Sequence, residues 1–217
     1  MAISQYALFT LFLFLVLLSE HLAGAEPTAA AVTARHHPIP TPTDVNFIKS
    51  TCMATRYPAL CVRSLSGYAA AIRRNDRHLA QAALLVSLSR ARSSDSFFSR
   101  LARSRGLGPW DHRAVRDCVE NLRDTVDQLA QSMRELGRAG REAGQDFEWH
   151  MSNVQTWVSA ALTDEDTCMD GFSGHAYGNK RLKAVVRRRV VGVAQVTSNA
   201  LALVNRFASK HRVMGEP

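Results

Sequence analysis

The chain has 217 residues, 46% of them hydrophobic, and carries 27 Lys and Arg against 19 Asp and Glu, a formal net charge of +8. That length holds one domain of ordinary size with a sizeable core. The basic balance draws the protein to anionic surfaces, and the lack of any recognisable nucleic-acid motif together with an export signal argues against nucleic acid as the partner.

The signal comes first. Leu8 to Leu18 is almost wholly apolar, the length of a signal-peptide core and too short to span a bilayer comfortably. Ala23-Gly24-Ala25 then supplies the small-x-small pattern of a cleavage site, so residues 1–25 are expected to be removed before Glu26. The stretch before the core, Met1 to Ala7, has no Lys or Arg, a departure from the usual pattern. No later run is long enough to cross a membrane, and the mature chain is expected in an oxidising, extracellular compartment. Residues 26–43 read EPTAAAVTARHHPIPTPT, with neither helical nor strand periodicity. This is a leader, and His36-His37 within it is a solvated dipeptide rather than a metal site.

Residues 44–71 predict a helical hairpin. Asp44 is placed as N-cap, with Val45, Ile48 and Cys52 at helical spacing after it. Tyr57-Pro58 breaks the run, and Pro58 suits the first turn of a second short helix bearing Leu60, Cys61 and Leu65.

Four longer helices are predicted over about 76–104, 111–136, 145–168 and 177–210. The first carries Leu79, Ala83, Val86, Arg90, Ser93, Phe97 and Leu101 along one stripe. On the second, Val115, Val119, Leu122, Val126, Leu129, Met133 and Leu136 alternate spacings of four and three, the seam of an antiparallel bundle. The third carries Phe147, Met151, Val154, Val158, Ala161 and Leu162; the fourth Leu182, Val185, Val186, Val193, Val196, Ala200, Leu203 and Phe207. Glycine-rich links at 105–109, 137–144 and 171–178 separate them. Short links favour antiparallel neighbours. The fold class is therefore all-α: an up-down-up-down four-helix bundle over 76–210 preceded by the hairpin, with a tail at 211–217.

The four cysteines, Cys52, Cys61, Cys118 and Cys168, fit a secreted helical domain held by two disulfides. Their spacing is unlike the close pairs of a zinc site. A bond between Cys52 and Cys61 would staple the hairpin and be worth roughly 3 kcal/mol in the chain-entropy model. A bond between Cys118 and Cys168 would tie the second long helix to the third and be worth about 4 kcal/mol. Four cysteines allow three pairings, and spacing does not select one.

No nucleophile elbow, phosphate loop or H-E-x-x-H motif occurs. Asp164-Glu165-Asp166 is read as a solvated helix end rather than an acid–base pair, and Trp157, beside Val158, as packing at the core edge. Between Arg63 and Arg116 stand eleven arginines against three acids, and Lys180, Arg181, Lys183, Arg187, Arg188 and Arg189 form a second basic run.

Three blocks of residues resemble one family. They are Phe47-Ile48-Lys49-Ser50-Thr51-Cys52 with Tyr57-Pro58-Ala59-Leu60-Cys61, Asp117 to Leu122 with Val126 to Leu129, and Val154 to Thr163 with Cys168 to Phe172. Together they are similar to the plant invertase and pectin methylesterase inhibitors, over about Val45 to Arg206. The resemblance implies the pairing Cys52–Cys61 and Cys118–Cys168. It also implies a non-catalytic protein, without metal or cofactor, that binds a cell-wall enzyme one-to-one and blocks its cleft.

Invertase inhibitors of the family tend to carry Pro-Lys-Phe at the start of the third bundle helix. Here His150 to Trp157 has no such motif, and Asn153 to Thr163 is similar to the pectin methylesterase inhibitors. The chain ends at Pro217 with no catalytic domain after it, which favours a free inhibitor. The expected target is thus pectin methylesterase in the apoplast, with acid invertase, or no enzyme and only an acidic polysaccharide, as alternatives. The expected contact residues are Glu120, Gln128, Gln155, Ser159 and Thr163, and the basic faces are expected to hold the protein on anionic pectin.

Overall fold

The computed structural model describes residues 40–140, 144–173 and 179–215, with side chains through His211. The chain divides into a unit Met1–His37 and a unit Pro38–Pro217, and every described residue belongs to the second. The export segment, His36-His37 and most of the leader lie outside the described residues.

Helix α1 runs Pro42–Cys52 and α2 runs Pro58–Leu65. A 3-10 turn, Ser66–Tyr68, leads into the short α3, Ala69–Ile72. The long helices are α4, Asp76–Ala102; α5, Pro109–Ala139; α6, Gly144–Asp170; and α7, Lys180–Gly215. All elements among the described residues are helical, and no described helix is long and apolar enough to cross a membrane.

Two boundaries differ from the sequence reading. Asp44 is not the N-cap of α1. Thr41 is: its hydroxyl accepts from the Asp44 amide at 3.3 Å, and the Asp44 carboxylate accepts from the Thr41 amide at 3.0 Å. Asp44 is the third residue of this capping box, and Pro42 occupies the first turn, so the helix starts inside the stretch read as leader. At the other end α7 runs on through the stretch read as tail, to Gly215.

Each long helix packs against two others, α4 on α5, α5 on α6, α6 on α7 and α7 back on α4. Contacts run in opposite directions along each pair. Between α5 and α6, Cys118 meets Cys168, Thr125 meets Ala161 and Glu135 meets His150. Between α4 and α7, Asp76 binds Arg206 and Lys210, and the Arg189 guanidinium lies 3.8 Å over the Phe97 ring. Arg77 of α4 reaches the carbonyls of Gly137 and Gly140 at the far end of α5. A side chain at 140 would strike that guanidinium, since its Cβ would stand 1.8 Å from the Arg77 carbon.

Two apolar clusters fill the bundle. The larger joins Ile48, Cys52, Cys61 and Leu65 of the hairpin to Leu84, Leu129, Met151 and Leu203. The smaller gathers Phe98, Val115, Leu122, Phe172 and Val186 around the second disulfide. On three helices the residue between the clusters is polar and buried: Ser94, Thr125 and Glu165.

The buried face of α4 is rotated from the predicted one. Ser87, Ala91, Ser94 and Phe98 are buried, whereas Arg90 and Ser93 are exposed and Val86 and Phe97 half-buried. On α5, Thr125 and Ser132 are fully buried while Val126 and Met133 are only half so, and on α7 Val185 is exposed. Helices that approach closely need small inward residues, and a buried hydroxyl is tolerated when it bonds its own helix. Ser87, Thr125, Ser132 and Thr197 each donate to the carbonyl four residues earlier, at 2.9 to 3.1 Å.

Beyond the apolar packing of the hairpin, one side chain of α7 hydrogen-bonds its turn. Asn199 of α7 is 3% exposed; its Oδ1 accepts from the Tyr57 amide and its Nδ2 donates to the Tyr57 carbonyl, both at 3.0 Å. Asn199→Ala leaves the Tyr57 amide without a partner, while the Tyr57 carbonyl keeps the Cys61 amide at 2.9 Å, and is expected to lower stability by about 2 kcal/mol. Urea unfolding with the disulfides intact measures it.

Candidate functional surface

Phe147, Met151, Val154, Val158, Ala161, Glu165 and Cys168 form the buried seam of α6. Half a turn round the same helix, Trp149, Ser152, Thr156, Ser159 and Thr163 are all exposed, again at alternating spacings of three and four. They make one outward stripe, set by the same repeat that buries the seam. From Met151 to Thr163 there is no charged residue, although 21% of the chain is charged. Acidic residues border the stripe, with Asp146 and Glu148 at one end and Asp166 and Asp170 at the other.

The stripe is held rigid by its own helix. Ser159 donates to the Gln155 carbonyl at 2.7 Å, Thr163 to the Ser159 carbonyl at 3.2 Å and Thr167 to the Thr163 carbonyl at 2.8 Å. Each hydroxyl oxygen keeps acceptor capacity toward solvent. These hydroxyls bond backbone rather than a histidine or carboxylate base, which is the arrangement of a binding face and not of an activated nucleophile. Gln155 stands at the edge toward α7, its Nε2 donating to Asn205 Oδ1 at 2.8 Å.

Trp149 is the large apolar side chain of this stripe, 60% exposed. Trp157, expected at the core edge, is half-buried as that position implies, whereas Trp149 carries the exposed ring. The signal for that exposure was present: 149 is in phase with the polar stripe and out of phase with Phe147 and Met151. Its ring meets His150 edge-on at 4.9 Å, and His150 Nδ1 lies 2.6 Å from Glu135 Oε2 on α5, so the base of the tryptophan is anchored.

The five expected contact residues do not share one surface. Gln155, Ser159 and Thr163 lie together on and beside the stripe. Gln128 is half-buried at the α5–α6 seam, hydrogen-bonded to Asp164. Glu120 is exposed in a depression between α4 and α5.

Asp164-Glu165-Asp166 is not a uniformly solvated helix end. Glu165 is fully buried, and Asp164 half-buried. Glu165 follows Ala161 by four and precedes Cys168 by three, so the seam carries it inward. Burial pushes its carboxyl up to about 8 against the opposing effect of Thr197, with Asp166 and Asp164 adding to the rise. Burial likewise raises Asp164, opposed by its bond to Gln128. The Thr197 hydroxyl lies 2.9 Å from Glu165 Oε1 and 3.1 Å from the Val193 carbonyl. One hydroxyl proton cannot serve both acceptors, so a protonated Glu165 completes the chain by donating to Thr197 while Thr197 donates to Val193.

Cys52 bonds Cys61 across a Cα separation of 5.6 Å, and Cys118 bonds Cys168 across 4.4 Å. The second bond pins the end of α6 to α5 and so fixes which way the stripe faces. No group of three or more potential metal ligands occurs among the described residues.

Residues 46–203 match the family described as plant invertase/pectin methylesterase inhibitor. The chain belongs to this family. It is 56% identical over 170 residues to pectinesterase inhibitor 9 of Arabidopsis thaliana, covering 77% of this chain and 83% of that one. Pectinesterase inhibitor 11 of the same plant is 42% identical over 204 residues, covering 94% and 97%. A 21 kDa protein of Daucus carota is 50% identical over 166 residues, covering 76% and 86%. Among solved structures, a mutant form of a pectin methylesterase inhibitor from Arabidopsis superposes with a TM-score of 0.58 at 20% identity, over 73% of this chain and 95% of that one, which shows the shared fold. Family membership places the chain among inhibitor proteins rather than enzymes.

Proposed function

We propose that the protein is a secreted inhibitor of pectin methylesterase, binding the enzyme one-to-one in the plant cell wall and laying the outward stripe of α6 across its substrate cleft. The observation that carries this reading is the uncharged, hydroxyl-rich stripe with an exposed tryptophan, on a chain whose relatives are named pectinesterase inhibitors. A binding surface depleted of charge at its centre has little to desolvate, and aromatic side chains supply most of the contact energy. Small hydroxyl residues let the helix backbone approach a concave partner closely. Rotamers fixed by back-bonding lose little entropy on association.

Blocking is steric in this account: no side chain reacts, and access to the cleft is lost while the helix occupies it. Gln155, Ser159 and Thr163 belong to the contact surface, with Trp149, Ser152 and Thr156 added. Gln128 holds Asp164 in place instead, and Glu120 belongs to a different surface. Export rests on residues 1–25, which have the form of a cleavable signal.

The refolded, oxidised protein is to be assayed against a plant pectin methylesterase and an acid invertase side by side. Loss of esterase activity with invertase untouched is the expected result. The reverse pattern makes the protein an invertase inhibitor, and no effect on either enzyme removes the inhibitory reading.

A further inference from the structure

Three depressions adjoin along the first half of α5. One, of about 320 Å³, lies against the last turns of α4 and is lined by Arg103, His112, Arg116, Glu120 and Arg123. The next, of about 430 Å³, shares His112, Arg116 and Glu120 with it and adds Arg113 and Asp117. The third, of about 160 Å³, shares Arg113 and Asp117 with the second and reaches Trp110 on α5 and Asn179 and Lys183 at the start of α7. They form one trough, and Trp110 to Arg123 alone spans about 20 Å of helix.

Its lining has two kinds of group. Arg103, Arg113, Arg116, Arg123 and Lys183 make it basic. Arg123 is engaged with Asp95 at 3.6 Å, but among the described residues no carboxylate lies within ion-pair distance of Arg103 or Arg116. Asp111, half-buried, and Asp117 and Glu120, both exposed, interrupt the positive charge with acceptors. Trp110, 63% exposed, lies at one end with the Arg113 guanidinium 5.4 Å from its ring centre.

We propose that this trough binds a polyuronate, a polysaccharide chain carrying a carboxylate on each sugar. Guanidinium forks match carboxylates in a two-point geometry. Sugar hydroxyls need acceptors between those points, which Asp117, Glu120 and Asn179 supply, and the flat indole takes the apolar face of a sugar ring. A DNA sugar-phosphate backbone offers these acceptors no hydroxyl donor, which favours a glycan over nucleic acid. De-esterified galacturonan is the polyuronate chosen, and that choice rests on the inhibitor reading above, because it is the product of the proposed target. The trough starts against the last turns of α4 and ends beside Gly171, Phe172 and the start of α7, whereas the stripe runs from Trp149 to Thr163 of α6 with its Gln155 edge toward α7. Both can be occupied at once, so the trough holds the inhibitor on polymer that its target has already de-esterified.

De-esterified oligogalacturonides are to be titrated into the full oxidised protein near 0.1 M salt by calorimetry. Arg103→Gln with Arg116→Gln is expected to weaken binding by about tenfold, and Trp110→Ala by a few-fold. Lys49→Gln with Arg63→Gln, an equal loss of exposed charge on the hairpin, is expected to change it less than about twofold. Equal losses in the two double variants would show diffuse charge attraction and overturn the site, as would tighter binding of a single-stranded oligonucleotide or no binding at all. The Arg103/Arg116 variant is expected to keep full inhibition of pectin methylesterase. If the native protein binds the glycan at the trough but inhibits no esterase, the inhibitor reading fails and the trough stands.

Discussion

Ser159→Arg is expected to reduce inhibition of pectin methylesterase by at least about a hundredfold, and Trp149→Ala by about thirtyfold, with little change in melting temperature for either. Ser159 is exposed in the middle of the stripe, and its hydroxyl bonds only its own helix. Arginine there is free to extend into solvent in the unbound protein, so folding is spared. In the complex it must be buried against the partner without a counter-ion from α6, whose stretch 151–163 is uncharged. Trp149 tests the opposite contribution, contact area lost rather than a clash introduced. Inhibition constants from esterase assays, with thermal melts of the same preparations, separate binding from folding. Native-like inhibition by both variants would move the interface off α6.

The second large effect concerns Glu165. Its carboxyl in the folded protein is pushed to about 8 from an ordinary 4.5, chiefly by burial. Below about pH 4.5 both folded and unfolded chains hold the proton, and the full stabilisation is present. As pH rises toward 8 the unfolded chain releases its proton while the folded one retains it, so stability falls through this window. Above 8 the loss is complete, on the order of 5 kcal/mol, at about 1.36 kcal/mol for each pH unit crossed. Glu165→Gln keeps the shape and a donor toward Thr197 but cannot ionise. Its unfolding midpoint is expected to stay nearly level from pH 5 to 8 while that of the native protein drops, the variant being the more stable near pH 8. Parallel curves would mean that Glu165 is ionised or solvated in the folded state.

The seams of α5 and α6 were legible because Val115, Leu122, Leu129 and Phe147, Met151, Val154, Val158 are large, apolar and regularly spaced. The face of α4 was not, because its inward positions are Ser87, Ala91 and Ser94, which carry almost no hydrophobic signal. Tertiary packing selects small residues there, and the backbone carbonyl satisfies the hydroxyls. Glu165 was misread for the converse reason. Its side chain is among the most polar available, and its charge outweighed a position that the three-four spacing had already marked as inward.

The candidate surface was half legible. Gln155, Ser159 and Thr163 follow from helical phase, and so does Trp149 once the seam is drawn. Glu120 and Gln128 lie off the stripe, which was not legible because phase along α5 gives a direction, not which neighbour fills it. Gln128 meets Asp164 of α6, whereas Glu120 opens onto α4 and the arginines of the trough.

The most direct measurement for the central claim is a titration of active pectin methylesterase with the oxidised protein, at enzyme concentrations well above the dissociation constant. Activity is expected to fall linearly to near zero with a break at one equivalent, and Ser159→Arg to remove the break. Full esterase activity in the presence of a large excess of the native protein would contradict it.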